Sequence, residues 1–178
     1  MKFCWLLVAV LGCLGLLGAP AAASVGPPTL GGATLRYLPG GLGSSTDFEY
    51  RFERVSFTSR VWESGSATAG WRVDLDIVVM HGRRLRSPAA LHDWFIHYEQ
   101  RPPAEAQYRP VRLHGQRGWA CRDQVFWLVR PGVAVSVLID RTRWSRRVLF
   151  RTARGILVPW FPQWPMMTET GTRSNLAT

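Results

Sequence analysis

The chain has 178 residues, a formal net charge of +10 and three cysteines. Of its 22 basic residues one is Lys2 and every other is arginine, set against 12 acids. This length accommodates one domain with its own core, and no change of composition marks a second. The positive balance favours anionic polymers or lipid head groups as partners, in a salt-dependent way.

Met1 to Ala23 reads as a secretory signal peptide: Lys2 in the n-region, an apolar run from Phe3 to Leu17, then the small residues Ala19-Pro20-Ala21-Ala22-Ala23. The run is short for a membrane span, so no retained transmembrane helix is expected and the working protein is expected to be secreted. Val10-Leu11-Gly12-Cys13 faintly resembles a lipoprotein box in which Cys13 would be acylated, but the apolar run continues past it to a better cleavage site. Cleavage removes Cys4 and Cys13 and leaves Cys121 alone, which rules out an internal disulfide and reads as a small buried apolar residue. Arginine used without lysine also fits GC-rich coding, an explanation that carries no function.

Ser24 to Ala33, with Gly26-Pro27-Pro28 and Gly31-Gly32, reads as a flexible leader, and a single domain is expected over residues 34–156. Thr34 to Leu38 reads as a short strand. Phe48, Tyr50 and Phe52 alternate with Glu49, Arg51 and Glu53; the pattern slips near Arg54 and resumes through Val55, Phe57, Val61 and Trp62. One long strand with a bulge or a bend accounts for this. After the small-residue loop Gly65 to Gly70, Trp71, Val73, Leu75, Ile77 and Val79 alternate with Arg72, Asp74 and Asp76, predicting an antiparallel partner strand with both aspartates on its wet face. Ser87-Pro88 predicts a helix start, and Leu91, Trp94, Phe95 and Tyr98 form one apolar stripe. Arg101-Pro102-Pro103 ends it.

Strands are predicted again at Val111–Leu113 and Trp119–Cys121. A hairpin follows, Val125–Val129 with Val133–Ile139, turning at Arg130-Pro131-Gly132. A second helix runs from about Trp144 to Arg154, with Leu149, Thr152, Ala153 and Ile156 inward and Gly155 as its stop. The fold class is α+β: a mostly antiparallel sheet with two helices packed on one face. Residues 157–178 read as a tail containing Pro159-Trp160-Phe161-Pro162-Gln163-Trp164-Pro165, its distal part disordered.

The segments Ser59-Arg60-Val61-Trp62-Glu63, Trp71-Arg72-Val73-Asp74-Leu75, Val125 to Val135 and Arg151-Thr152-Ala153-Arg154-Gly155-Ile156 together resemble an uncharacterised family of small secreted actinobacterial proteins. The hairpin followed by a helix ending in Ala-x-Gly-Ile is also similar to small extracytoplasmic modules found beside anti-sigma factors and lipoproteins. That likeness implies a binding or accessory role rather than catalysis.

Motifs for chemistry are sparse. His92 and His97 are five apart, about 140° around a helix, where a zinc pair needs four; no metal or other cofactor is expected. Asp93 and His97 read as a solvated pair. No nucleophile elbow, Ser-x-x-Lys or paired Cys–His motif is present, and Gly40-Gly41-Leu42-Gly43-Ser44 lacks the lysine of a phosphate loop. The positive features are arginine groups. Arg83, Arg84 and Arg86 precede the first helix. Arg143, Arg147, Arg151 and Arg154 recur along the second at i, i+4, i+8 and i+11, with Arg141 and Arg146 beside them. These are the candidate anion-binding residues, with Trp160 and Trp164 as candidate contacts to a partner or membrane. The leading reading is a secreted, envelope-associated, non-enzymatic module that binds an anionic envelope polymer or phospholipid through its arginine face. No sequence-specific nucleic acid partner is expected. The alternative is a small-ligand or lipid carrier with an apolar cavity between sheet and helix. A hydrolase using Asp74, Asp76 or a histidine is a third.

Overall fold

The computed structural model describes residues 27–102 and 104–159. The predicted signal peptide, Trp160, Trp164 and the distal tail lie outside the described residues. A seven-stranded antiparallel sheet carries the fold. Its strands are β3 (Ser44–Phe52), β4 (Val55–Ser66), β5 (Gly70–His81), β6 (Arg109–Leu113), β7 (Gln116–Ala120), β8 (Gln124–Arg130) and β9 (Val133–Ile139), in the spatial order β3-β4-β5-β9-β8-β7-β6. Helix α1 (Pro88–Glu99) follows β5 and helix α2 (Arg146–Arg154) follows β9. A second, three-stranded sheet joins β1 (Thr29–Leu30), β2 (Ala33–Leu35) and β10 (Ile156–Leu157).

The predicted leader and tail therefore contribute to the fold: Thr29–Leu30 pairs with β2, Leu157 pairs with Thr34, and Leu30 and Ala33 are buried. The single long strand predicted through Arg54 is instead a hairpin. Glu53 and Arg54 both take positive φ, 45° and 65°, which a two-residue turn between twisted strands requires. Neither residue is a usual turn former, so the composition hid it. The irregularity expected near Arg54 lies instead between β4 and β5, where the register shifts at Trp62/Glu63 and Asp74 is the extra residue.

The two helices pack on opposite faces of the sheet, which corrects the one-face arrangement. On β8, Val125 and Trp127 join a core with Leu149 and Ala153 of α2 and with Leu30, Leu35 and Ile156 of the small sheet. The intervening Phe126 and Leu128 join a second core with Leu91, Trp94 and Phe95 of α1. Successive strand residues point to opposite faces, so an unbroken apolar run marks a strand covered on both sides. The α1 interface is filled by aromatic rings, with Phe95 and Phe126 4.2 Å apart and Phe57 5.9 Å from Trp94.

Local signals set the helix starts. Ser87 Oγ accepts a hydrogen bond from the Ala90 N–H at 3.2 Å, with Pro88 at the first helical position. Such a cap contributes about 1 kcal/mol. Helix α2 begins two residues later than predicted, after Ser145, because Asp140 to Trp144 form a turn in which Asp140 Oδ1 accepts from the Thr142 N–H and Oγ1, both at 2.7 Å. Trp62, Trp94, Trp119 and Trp127 are buried, whereas Trp71 is 62% exposed.

Candidate anion-binding site

Most of the arginine stripe proposed along α2 serves the fold. Arg143 bonds Asp74 Oδ1 at 2.5 Å, Ser64 Oγ at 3.0 Å and the Gly41 carbonyl at 2.6 Å, and lies over the Trp144 ring. It closes over a carboxylate with no exposed surface, so Asp74 is not on a wet face. Burial works to raise the Asp74 carboxyl, but hydrogen bonds from Arg143, Ser64 and Gly43 outweigh it and hold it below the ordinary value. Arg151 stacks 4.1 Å from the centre of the Tyr37 ring, and Arg154 lies over Phe150. Among the described residues, Arg147 has no partner.

A groove of about 960 Å³ at the start of β5 collects Arg72, Arg101, Arg109, Arg122, Arg141 and Arg146. Several of these are already occupied. Arg101 pairs with Glu99 and Asp123, Arg72 stands 3.0 Å from Asp140, Arg146 donates to the Cys121 carbonyl, and Arg141 to that of Trp144. Cys121 lines the same groove, where burial pushes its thiol up and Asp123 accepts from it at 3.3 Å. A raised thiol is poorly suited to nucleophilic attack at neutral pH.

The opposite end of the sheet differs. Leu85 is fully buried and acts as a plug, pinned by backbone bonds from its N–H to the Gly82 carbonyl and from the Gly132 N–H to its own carbonyl. In the run Arg83-Arg84-Leu85-Arg86, seating that one leucine turns the three arginines outward. The β3–β4 turn brings Arg51 and Arg54 alongside. These five arginines, with Ser56, His81, Gly82 and Gly132, line an open cleft of about 640 Å³ that no carboxylate lines. Glu53 stands beside it, its Oε2 receiving Arg84 at 3.1 Å and the Trp94 indole N–H at 3.2 Å. Burial lowers the His81 imidazole below its ordinary value, aided by Arg130 and opposed by a backbone hydrogen bond to Gly31.

The sequence thus named three of these five arginines. Arg51, on β3, and Arg54, in the turn, escaped notice because the hairpin that brings them alongside was read as one continuous strand. The other candidates disperse: His92 contacts Asp93 at 3.2 Å and the Trp119 ring, and His114 lies near the Ala153 carbonyl. Among the described residues no group of three or more His, Cys, Asp or Glu side chains is placed to hold a metal ion, and no helix is long and apolar enough to cross a membrane. Compared with protein-family models, with curated proteins and with solved structures, the chain finds no match in any of the three.

Proposed function

We propose that this protein is a secreted, non-enzymatic module of the cell envelope that binds an anionic surface through Arg54, Arg83, Arg84 and Arg86, with Arg51 at the rim. The observation that carries the reading is the cleft itself: five arginines converge on one opening with no carboxylate in its lining. Guanidinium groups form paired hydrogen bonds with phosphate, and closely spaced cations of which, among the described residues, Arg84 alone has an acidic partner, Glu53, gain most from an anionic partner. Acidic phospholipid and phosphate-bearing wall polymer share the chemistry that this cleft recognises.

The test is co-sedimentation of the protein with vesicles containing acidic phospholipid, and with envelope material, across a salt series. Each basic residue near such a surface contributes about 1 kcal/mol, so R83Q/R84Q/R86Q is expected to weaken binding on the order of 100-fold and to flatten its salt dependence. The variant R147Q/R151Q/R154Q on α2 is expected to bind nearly as the parent does. Binding that is insensitive to salt, or that survives the first variant unchanged, would refute the proposal.

A further inference from the structure

The two edges of the large sheet are built differently. The β6 edge is five residues long and carries Pro110 between Arg109 and Val111, features that discourage a further strand. The β3 edge is nine residues long, has no proline and pairs with β4 without a register shift. Every residue of it is exposed, and Phe48, Tyr50 and Phe52 retain 46%, 42% and 37% of their surface. A long, regular, aromatic edge with free backbone groups is a template for another strand.

The hairpin geometry fixes which groups are free. With a two-residue loop, Phe52 and Val55 form the hydrogen-bonded pair that closes the ladder. Phe52, Tyr50 and Phe48 therefore turn their N–H and C=O toward β4, while Arg51, Glu49 and Asp47 turn theirs outward. Side chains divide in the same way. The aromatics lie on the α1 face, where Tyr50 stacks on Phe57 and Phe52 meets Tyr98. The charged residues share the other face, where Asp47 is taken up by Arg60.

We propose that β3 is a homodimer interface, two copies pairing antiparallel about a two-fold axis through Tyr50. Antiparallel self-pairing allows few registers that match outward groups with outward groups, and charge chooses among them. Centred on Phe48, the register sets Asp47 against Glu49 of the second copy. Centred on Glu49, it sets that carboxylate against itself, and the two Asp47–Arg51 pairs it also makes draw on an aspartate already taken up by Arg60. Centred on Tyr50, it sets Glu49 against Arg51 and, by symmetry, Arg51 against Glu49, so both outward-bonding pairs are oppositely charged. The same register places Tyr50 against Tyr50 and Phe48 against Phe52, continuing the aromatic surface across the axis. Like charges directly opposite on paired strands are destabilising, and opposite charges and aromatic pairs are favourable. The second copy of this chain is thus the occupant that the charge pattern of β3 fits.

The test is the mass of the full chain in solution, by sedimentation or light scattering over a concentration series without anionic polymer. The parent is expected to approach twice the chain mass of 20.1 kDa. The single variants E49R and R51E each create two like-charged pairs and are expected to raise the dimer Kd by about 30-fold. The double variant E49R/R51E exchanges the charges, recreates both pairs and is expected to restore the dimer. Both side chains are exposed, and circular dichroism checks that each variant is folded. A parent that stays at one chain mass overturns the proposal, as does a dimer indifferent to the single variants or a double variant that fails to recover. A β3 edge covered in cis by residues outside 27–159 would give the first of these results.

Discussion

Replacing Arg143 with alanine strands a carboxylate. Asp74 has no exposed side-chain surface, yet it lies near the start of β5, and the arginine paired with it is itself 29% exposed. The substitution removes the charged partner of Asp74, the bond to Ser64 and the tie to the Gly41 carbonyl. It leaves the donors of Ser64 Oγ at 2.8 Å and the Gly43 N–H at 3.0 Å, with Arg72 still 3.9 Å away. Breaking a buried pair costs about 3–5 kcal/mol, and the two surviving donors together with the partial exposure of the arginine bring the expectation to about 2–3 kcal/mol. For a domain of this size that corresponds to a melting point lower by roughly 5–10 °C. Urea unfolding followed by tryptophan fluorescence measures it directly. The pH dependence supplies a second check. The folded carboxyl is held below its unfolded value, so its contribution is present above the ordinary carboxylate range and fades as pH falls through the folded value. The gap between R143A and the parent should therefore narrow in acid. Adding D74N to R143A should recover much of the loss, because no charge is then left unpaired. A loss under 0.5 kcal/mol at neutral pH would show that Arg143 is a surface cation after all, and would return it to the anion-binding stripe.

Asp76 behaves in the opposite sense. Burial drives its carboxyl up to about 6, against the Ser59 hydroxyl that donates to it at 2.8 Å and with Glu99 adding to the rise. Its contribution is full below the unfolded carboxylate value and is lost as pH rises through about 6. D76N keeps an acceptor for Ser59 and should exceed the parent on the order of 2 kcal/mol at pH 7, with no gain at pH 4. Equal urea midpoints at both pH values would sink this account. Gly118 permits the close approach of β7 and β8: a Cβ there would stand 2.5 Å from the Phe126 carbonyl oxygen and 2.7 Å from the Trp127 Cβ. G118A should cost about 2–3 kcal/mol by thermal or urea unfolding, and a neutral result would mean that the strands can separate without penalty.

Periodicity alone determined a good deal of this protein. Alternation located β5, the turn Arg130-Pro131-Gly132 located the hairpin of β8 and β9, the spacing of Leu91, Trp94 and Phe95 located α1, and Ser87-Pro88 located its start; each depends on neighbours within one turn or one pleat. The α+β class and the mostly antiparallel sheet follow from those elements and their short connections. Relations between distant elements were decided only in three dimensions. The apolar run Val125 to Leu128 says that both faces of β8 are covered, but which helix covers which face depends on where the chain returns after β9. Leu30 pairs through Ala33 into a small sheet completed far along the chain by β10, where Ile156 pairs with Leu35, a contact that no local pattern encodes. Charge was the least legible of all. Arg143 and Arg83 look alike in the sequence, yet one neutralises a carboxylate 69 residues away and the other flanks a buried leucine and faces an open cleft. The sequence states how many arginines there are; tertiary structure determines which carboxylates reach them, and so which guanidinium groups remain available to a partner.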